Sequence, residues 1–337
     1  MCEPAAAADN QSAIVIYSRR LYFANRGSGT PRQHRHYRLR GAYRASAHRA
    51  RELGVKLLVG HHRRFNPYVV AAQKVLVASK AQPSTQGIGA VTAVSCLWAA
   101  YKPDDYFATG AWRRSRKQGG GPVMINFVHE FDVLQYLLGP IVRVSAEKTL
   151  GRYGVEASNL DAVEDGAVLT LLFASGAVGS FILSDGVVSP HFFEAGTGEN
   201  PMIPQARRSR NHRLDESDTS DTGREGQTVK GEPVDVYRIL GTHGTLSIPD
   251  VTLWTCGDKP RSWATELTVR HIEIDDDPRV PFDRQLDHLI AVVRGETPIE
   301  KGPRCTGEEG LRVIAVCEAV REDLNDAQGG RAIADTI

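Results

Sequence analysis

Eight residues between positions 63 and 132 have the types needed to hold a hydroxylated ligand and move a proton: Arg63, Arg64, Asn66, Trp112, Arg113, Asn126, His129 and Asp132. A histidine titrates near neutrality, so His129 can take the proton of a substrate hydroxyl. The alternative is a helix histidine bonded to a neighbouring loop. Asp132 stands at i+3 from it, where a carboxylate can orient the imidazole or cap a nearby turn. Asn126, three residues before His129, can bond a hydroxyl but cannot serve as a base. Arg63, Arg64 and Asn66 follow an apolar run, and an arginine there can bind carboxylate, phosphate or hydroxyls, or close a surface ion pair. Trp112 can wall a sugar ring or fill the core, and Arg113 can fix such a ring. Gly119, Gly120 and Gly121 let the backbone approach closely and aim the next helix at a pocket; a flexible linker is the other reading.

These residues need a scaffold, and the pattern supplies one. Val55–Gly60 reads as a short buried strand of a parallel sheet. A helix over Ala45–Leu53 precedes it, with Gly54 as its terminating residue. In open parallel α/β sheets, ligands sit at the carboxyl ends of the strands, which is where Arg63 falls. Pro67 opens a helix over Tyr68–Ser79. Val91–Tyr101 reads as strand and residues 102–121 as loop. Pro122–Leu138 is a strong helix, with Val123, Phe127, Phe131, Leu134 and Leu138 on one face and Gly139-Pro140 as its stop. Strands are expected at Val142–Thr149, Ala167–Phe173 and Ala177–Ser184, the last two joined by a Ser175-Gly176 turn. Further strands are expected at Val236–Leu240, Gly244–Ile248 and Val251–Trp254, and helices at Phe282–Arg294 and Gly307–Asp323. Gly196–Pro233 is polar and low in aromatics, the pattern of a long, mostly disordered surface loop. Ser12–Tyr17 reads as one short strand; Leu21–Arg51 has no clean apolar period and reads as disorder or a frayed helix.

Composition excludes several classes. The 337 residues carry a formal charge of +1, with 41% hydrophobic and 24% charged residues, as in a soluble globular protein. Residues 1–51 hold ten arginines and no lysine against Glu3 and Asp9, a balance of +8, and the remainder carries −7. The Arg-rich 32–51 segment has only Tyr37 and Tyr43 interleaved, so no nucleic-acid partner is expected. No apolar run reaches the ~18 residues of a membrane span, and no secretory signal pattern opens the chain. The five cysteines show no C-x-x-C spacing, so reduced thiols in a cytoplasmic protein are expected, with no metal. His61-His62 would point to opposite faces of a strand and cannot easily share an ion.

On the motifs Val59-Gly-His-His-Arg-Arg-Phe-Asn-Pro67, Trp112-Arg113, Gly119-Gly-Gly through His129 and Asp132 to Leu138-Gly139, Gly241-Thr-His-Gly-Thr-Leu246 and Glu308-Glu-Gly-Leu311, the chain resembles the glucose–fructose oxidoreductase / inositol dehydrogenase / MocA (Gfo/Idh/MocA) family of NAD(P)-dependent dehydrogenases. The resemblance runs from about Gly54 to Ile333. It implies an α/β (α+β) chain: a Rossmann domain, then an α/β domain on a mostly antiparallel open sheet that often mediates oligomers. It implies hydride transfer between NAD or NADP and a hydroxyl-bearing carbon of a sugar or cyclic polyol. His129 then matches the family's catalytic histidine, with Asp132 beside it. Asn126, Arg63, Arg64, Asn66, Trp112 and Arg113 fall on the substrate side. The usual aspartate four residues before the histidine is Ile125 here, and Asn126 is the nearest polar group.

The Rossmann half departs from the pattern. Only 58 residues precede Val59, where the resemblance implies more than about a hundred. Gly27-Ser28-Gly29 has half of a G-x-G-x-x-G turn, with Arg32 in place of its last glycine, and no E-K-P stands where the family's lysine is expected. Three segments follow: residues 1–44 poorly ordered or aberrant, from a wrong start, exon or frame; 45–67 a Rossmann remnant; and 68–335 the substrate and oligomerisation domain, with a disordered loop near 197–233. The expected protein is a sugar or polyol oxidoreductase with an incomplete, impaired cofactor site. The alternative is a non-catalytic sugar-binding or oligomerising scaffold of the same descent.

Overall fold

The structure, a computed structural model, describes residues 13–17, 20–24, 39–81, 87–151, 162–205, 207–208, 232–275, 277, 279–297, 304–325 and 331–332. Strands β1 (Ala13–Tyr17) and β2 (Arg20–Ala24) form an antiparallel hairpin, and helix α1 (Leu39–Glu52) leads to β3 (Lys56–Val59). β3 pairs parallel to β1, giving a small sheet of order β2-β1-β3. This is a strand–helix–strand crossover, as the apolar run at 55–60 predicts. The helix begins six residues before the expected Ala45 and ends at Glu52, and Gly54 follows with a φ of +64° that suits a residue without a side chain. Of the segment 1–44, only β1, β2 and the start of α1 are described; the Gly27–Gly29 turn lies outside the described residues.

Helix α2 (Pro67–Ala81) follows a 3-10 turn at His62–Phe65. A second, larger sheet holds β4 (Val91–Ala99), β5 (Ile141–Lys148), β6 (Gly166–Phe173), β7 (Val178–Ser184), β10 (Tyr237–Gly241), β11 (Gly244–Ile248), β12 (Thr252–Thr255), β13 (Thr268–His271) and the two-residue β14 (Arg331–Ala332). A two-residue ribbon of β8 (Arg207–Arg208) and β9 (Glu232–Pro233) stands apart. The large sheet runs β13-β12-β11-β10-β4-β7-β6-β5-β14, and every pair but β4–β7 is antiparallel. It is an open, mostly antiparallel sheet, as expected.

Residues 102–121 are not wholly loop. They carry the short helix α3 (Asp104–Ala108) and a 3-10 turn at Ala111–Arg114. The expected helix 122–138 begins as a π-helical turn, Val123–Phe127, and continues as α4 (Val128–Leu138). Short helix α5 (Phe193–Thr197), α6 (Pro281–Val293) and α7 (Gly307–Asp323) complete the elements. Of the expected disordered loop near 197–233, Thr197–Gln205 is ordered and partly buried, and residues 206 and 209–231 lie outside the described residues.

The core sits between the large sheet and α4. Trp98 packs edge-on to Phe127 at 5.5 Å, and Phe127 meets Phe131 at 5.8 Å and Phe181 at 4.7 Å. Alternation along β6 and β7 turns Leu169, Leu171, Phe181 and Leu183 inward. α7 joins the two sheets. Side chains at Gly307 and Gly310 would strike Ala47, Leu57, Val59 and Tyr43, so glycine there lets α7 lie against α1 and β3. Its start is held by a capping box, in which Thr306 Oγ1 accepts from Glu309 N at 3.2 Å and the Glu309 carboxylate accepts from Thr306 N at 2.8 Å. No described helix is long and apolar enough to cross a membrane.

Candidate functional site

The π-turn and α4 carry Asn126, His129 and Asp132, and a buried carboxylate holds their start. Glu164 Oε1 accepts from Val123 N at 3.0 Å. Gly121, with φ of +88°, passes so close that a Cβ there would come within 2.5 Å of the same carboxylate. The last glycine of the Gly119–Gly121 run therefore serves close approach rather than a free linker. Wide π-turns inside helices recur at functional positions, and this one sets the offset between Asn126 and His129.

His129 is one of three clustered imidazoles. Its ring centroid lies 5.1 Å from that of His62 and 5.7 Å from that of His61. Both of the latter follow the end of β3 and both turn toward α4, so the expectation that they face opposite ways does not hold: the chain has already left the strand and entered the 3-10 turn. His129 Nδ1 and both ring nitrogens of His61 are enclosed without a hydrogen-bond partner among the described residues. Burial pushes His129 well below the ordinary histidine range, and His62, Arg63 and His61 push the same way. The ring is thus neutral at physiological pH, the form with a lone pair to accept a proton. His62 also stacks on Phe282 at 4.0 Å and reaches Glu199 at 3.6 Å.

The arginine pair is buried, each residue being 2% exposed. Arg63 meets three carboxylates: Glu130, Glu194 at 2.6 Å and Glu199 at 2.8 Å. Its guanidinium also lies 4.6 Å over the Phe193 ring. Tyr237 Oη donates to the other oxygen of Glu130. Asn66 Nδ2 donates to Glu199 at 2.9 Å, and Asn66 Oδ1 accepts from Tyr68 N at 3.0 Å. Burial pushes Glu130 up to about 7 despite Arg63. Burial also opposes ionisation of Glu199, but Arg63 and His62 outweigh it and hold that carboxyl at about 2. One buried cation thus serves carboxylates that titrate far apart.

Arg64 forks onto Asp132, with contacts of 3.1, 3.0 and 2.7 Å, and donates to Arg304 O and Glu309 at 2.6 Å. Both Asp132 oxygens are thus engaged by Arg64. The surface ion pair weighed for the arginines is in fact a buried one for both. Asp132 Oδ, His61 and Cys305 Sγ offer ligand atoms all within 4.8 Å of one another. The Arg64 cation already occupies the Asp132 oxygens, so this group is built as an ion pair and is a poor host for a second cation.

The remaining predicted residues meet at the far end of the π-turn. Lys102 donates to Asn126 Oδ1 and lies over the rings of Trp98 at 5.5 Å and Tyr106 at 4.9 Å. Arg113 covers Tyr106 at 4.3 Å and Trp112 at 5.3 Å, and donates to Tyr106 O at 2.5 Å. Trp112, Arg113 and Asn126 are thus joined through Lys102 and Tyr106, neither of which the sequence reading singled out. A shallow cleft of about 230 Å³ beside Asn66 and Glu199 is lined by neither His129 nor Asn126, and no chemistry is assigned to it.

Sequence reasoning missed Glu130, Glu164, Glu194, Glu199, Tyr237 and Lys102. For Glu130 a signal existed. It sits at i+3 from Phe127 and i−4 from Leu134, a carboxylate inside an apolar helix stripe, which requires a buried partner. Lys102 stands in Tyr101-Lys-Pro-Asp-Asp-Tyr106, between a strand and a helix N-terminus. Glu199 lay hidden in a polar stretch read as loop.

The fold is an open, mostly antiparallel sheet backed by the helix that carries His129. The profile of the oxidoreductase family, C-terminal alpha/beta domain (Gfo/Idh/MocA), matches residues 84–329, and the chain belongs to this family. No curated protein matches the chain. Among solved structures, an oxidoreductase from Agrobacterium radiobacter in complex with NAD+, L-tartaric acid and magnesium is similar at 14% identity and a TM-score of 0.55, covering 88% of this chain and 71% of that one. The WlbA dehydrogenase from Bordetella pertussis, in complex with NADH and UDP-GlcNAcA, is similar at 18% identity and a TM-score of 0.52, covering 86% and 66%. A putative myo-inositol dehydrogenase from Sinorhizobium meliloti is similar at 18% identity and a TM-score of 0.52, covering 88% and 70%. At these identities the shared property is the fold.

A dinucleotide site requires a strand that turns directly into a helix, whose first N–H groups face the pyrophosphate. Here β1 passes into the antiparallel strand β2 instead.

Proposed function

We propose that this chain binds a sugar or cyclic polyol on the face carrying Asn126, Arg113 and Trp112, with His129 as the acceptor of a substrate hydroxyl proton, and that it holds NAD(P) weakly. The observation that carries the reading is the His129 imidazole, neutral, with Nδ1 unpartnered among the described residues, one helical turn from Asn126. The similar structures support it, among them one complex with NAD+ and L-tartaric acid, one with NADH and UDP-GlcNAcA, and a putative myo-inositol dehydrogenase. Arg63, Arg64, Asn66 and Asp132 brace the βα turn against α4 and do not touch substrate in this reading. The second reading is a sugar-binding scaffold without turnover, which the β1–β2 hairpin of the N-terminal sheet is compatible with.

Fluorescence titration with NADH and NADPH tests the cofactor half of the proposal. No saturation is expected below about 1 mM, an affinity weaker than ~4 kcal/mol. Saturable binding in the micromolar range overturns it and restores a complete dehydrogenase.

The outer face of the large sheet supports self-association. Val168 and Ile182 face each other across β6 and β7 and are 45% and 48% exposed; Val178, opposite Leu172, is 45% exposed. An apolar patch on a flat sheet suits an interface. Ile182→Asp is expected to lower the sedimenting mass of an oligomeric wild type to that of a monomer. A wild type that sediments as a monomer at micromolar concentration removes this part.

A further inference from the structure

We infer that His62 is the proton relay of this site: it receives from His129 the proton that His129 draws from the substrate hydroxyl and releases it to water, with Glu199 pairing the imidazolium in between; the inference rests on the reading of His129 as the acceptor of that proton. His62 touches no substrate in this scheme. It acts through His129, as a positioning residue for the proton.

A base that keeps its proton works once, so His129 has to pass the proton on. Its own helix offers no route. Ile125, one turn earlier, carries no titrating group. Glu130 is taken up by Arg63 and Tyr237, and both Asp132 oxygens lie on Arg64. Two imidazoles remain, with ring centroids at 5.1 Å for His62 and 5.7 Å for His61. His61 is 2% exposed, and both its nitrogens are enclosed without a partner among the described residues. A proton placed there has no onward step.

His62 differs on both counts. Its Nε2 lies 3.6 Å from Glu199, within pairing distance once the ring is charged. Burial opposes the charge on Glu199, but Arg63 and His62 hold that carboxyl ionised. The ring stacks on Phe282, with centroids 4.0 Å apart and planes at 17°, and an aromatic face favours a cation. Arg63 repels a charged neighbour, yet it is shared by Glu130, Glu194 and Glu199, which screen it. The His62 side chain is 10% exposed and Phe282 is 45% exposed, so this pair stands where the cluster meets water.

The relay conserves protons and moves no electrons. The substrate O–H bond breaks as an N–H bond forms at Nε2 of His129. The N–H bond at Nδ1 of His129 breaks as one forms on His62. His62 then gives a proton to water and is neutral again. At rest His129 Nδ1 has no hydrogen-bond partner among the described residues, so the middle step turns one ring or uses one water.

Exchange of the His129 ring hydrogen with water tests the path, by NMR on the isotope-labelled full chain without substrate or cofactor, the signal being assigned with His129→Gln. The wild type is expected to carry that hydrogen on Nδ1. His62→Gln has no second ring nitrogen to pass a proton between, and exchange should slow about tenfold or more. A His62 that only packs gives the opposite sign, since its removal opens the cluster and speeds exchange. Should His62→Gln fail to fold by circular dichroism, Glu199→Gln decides by the same sign, because it keeps the shape and removes the charge that pairs the imidazolium. The inference is overturned if His129 carries its hydrogen on Nε2, or if exchange in the folded variant is unchanged or faster. Slowed exchange in a chain that binds neither myo-inositol nor glucose sinks the reading of the substrate face and leaves the proton path standing.

Discussion

Replacing Arg63 by methionine is expected to destabilise the fold by roughly 3–5 kcal/mol, the largest loss of any single substitution considered. The reason is arithmetic of charge. Arg63 is the cation shared by Glu130, Glu194 and Glu199, and it is 2% exposed. Without it, the three carboxylates lose their shared arginine, and the nearest remaining basic side chain is the His62 imidazole, 3.6 Å from Glu199. Their self-repulsion and desolvation have no compensation, while the methionine fills similar volume, so the loss reports charge rather than packing. Urea unfolding followed by circular dichroism measures it. The loss should shrink in acid, where the carboxylates take up protons. A midpoint within experimental error of the wild type at pH 7 would show that Arg63 is not the keystone of the cluster. Since the His62–Phe65 turn is tied to α4 and to the 193–199 segment through this arginine, its loss should also free the turn that carries His61 and His62.

The second large effect is a pH dependence and its removal. Glu130 sits at about 7 in the folded protein against an ordinary 4.5. The folded state therefore holds a proton that the unfolded chain gives up. Stability from this group is fully present below pH 4.5, falls as pH rises to about 7, and is constant above. The span corresponds to a loss on the order of 3 kcal/mol. Glu199 works in the opposite sense. Held at about 2, it contributes stability above its ordinary value and loses it as pH falls from about 4.5 to about 2. The two windows adjoin without overlap, so maximum stability should lie near pH 4.5 as far as this cluster decides it. Glu130→Gln keeps an acceptor for Arg63 and a polar partner for Tyr237 but cannot ionise. It should flatten the fall between pH 4.5 and 7 and make the variant more stable than the wild type at pH 8. An unchanged slope would assign the buried proton to another group.

Much of the architecture was legible because it is local. The helix at 307–323 follows from its amphipathic pattern, and the structure places it over the same residues. The strand at 55–60 was legible from its continuous apolar run, which a parallel pairing to β1 requires. The start of the 122–138 helix as a π-turn was not, since it depends on Glu164, forty-one residues away, taking Val123 N–H. Likewise the ordered 197–205 stretch has no local signal; Glu199 is buried because Arg63 and Asn66 come from a distant turn to meet it.

By itself, the amino-acid sequence determined the lineage, the mostly antiparallel sheet, and the residue types at the site, His129, Asn126 and Arg113 among them. The lineage and the sheet type rest on the motifs that carry the family resemblance, and the individual helices and strands on periodicity and turn chemistry, which act over a few residues. Only the tertiary structure decided what those residues do to one another. It turned Arg63, Arg64 and Asp132 inward to brace the fold, brought three histidines together and set Lys102 on Asn126. Those outcomes depend on burial and charge pairing between segments as far apart as Arg63 and Glu199, and such pairing is settled only when the chain closes on itself.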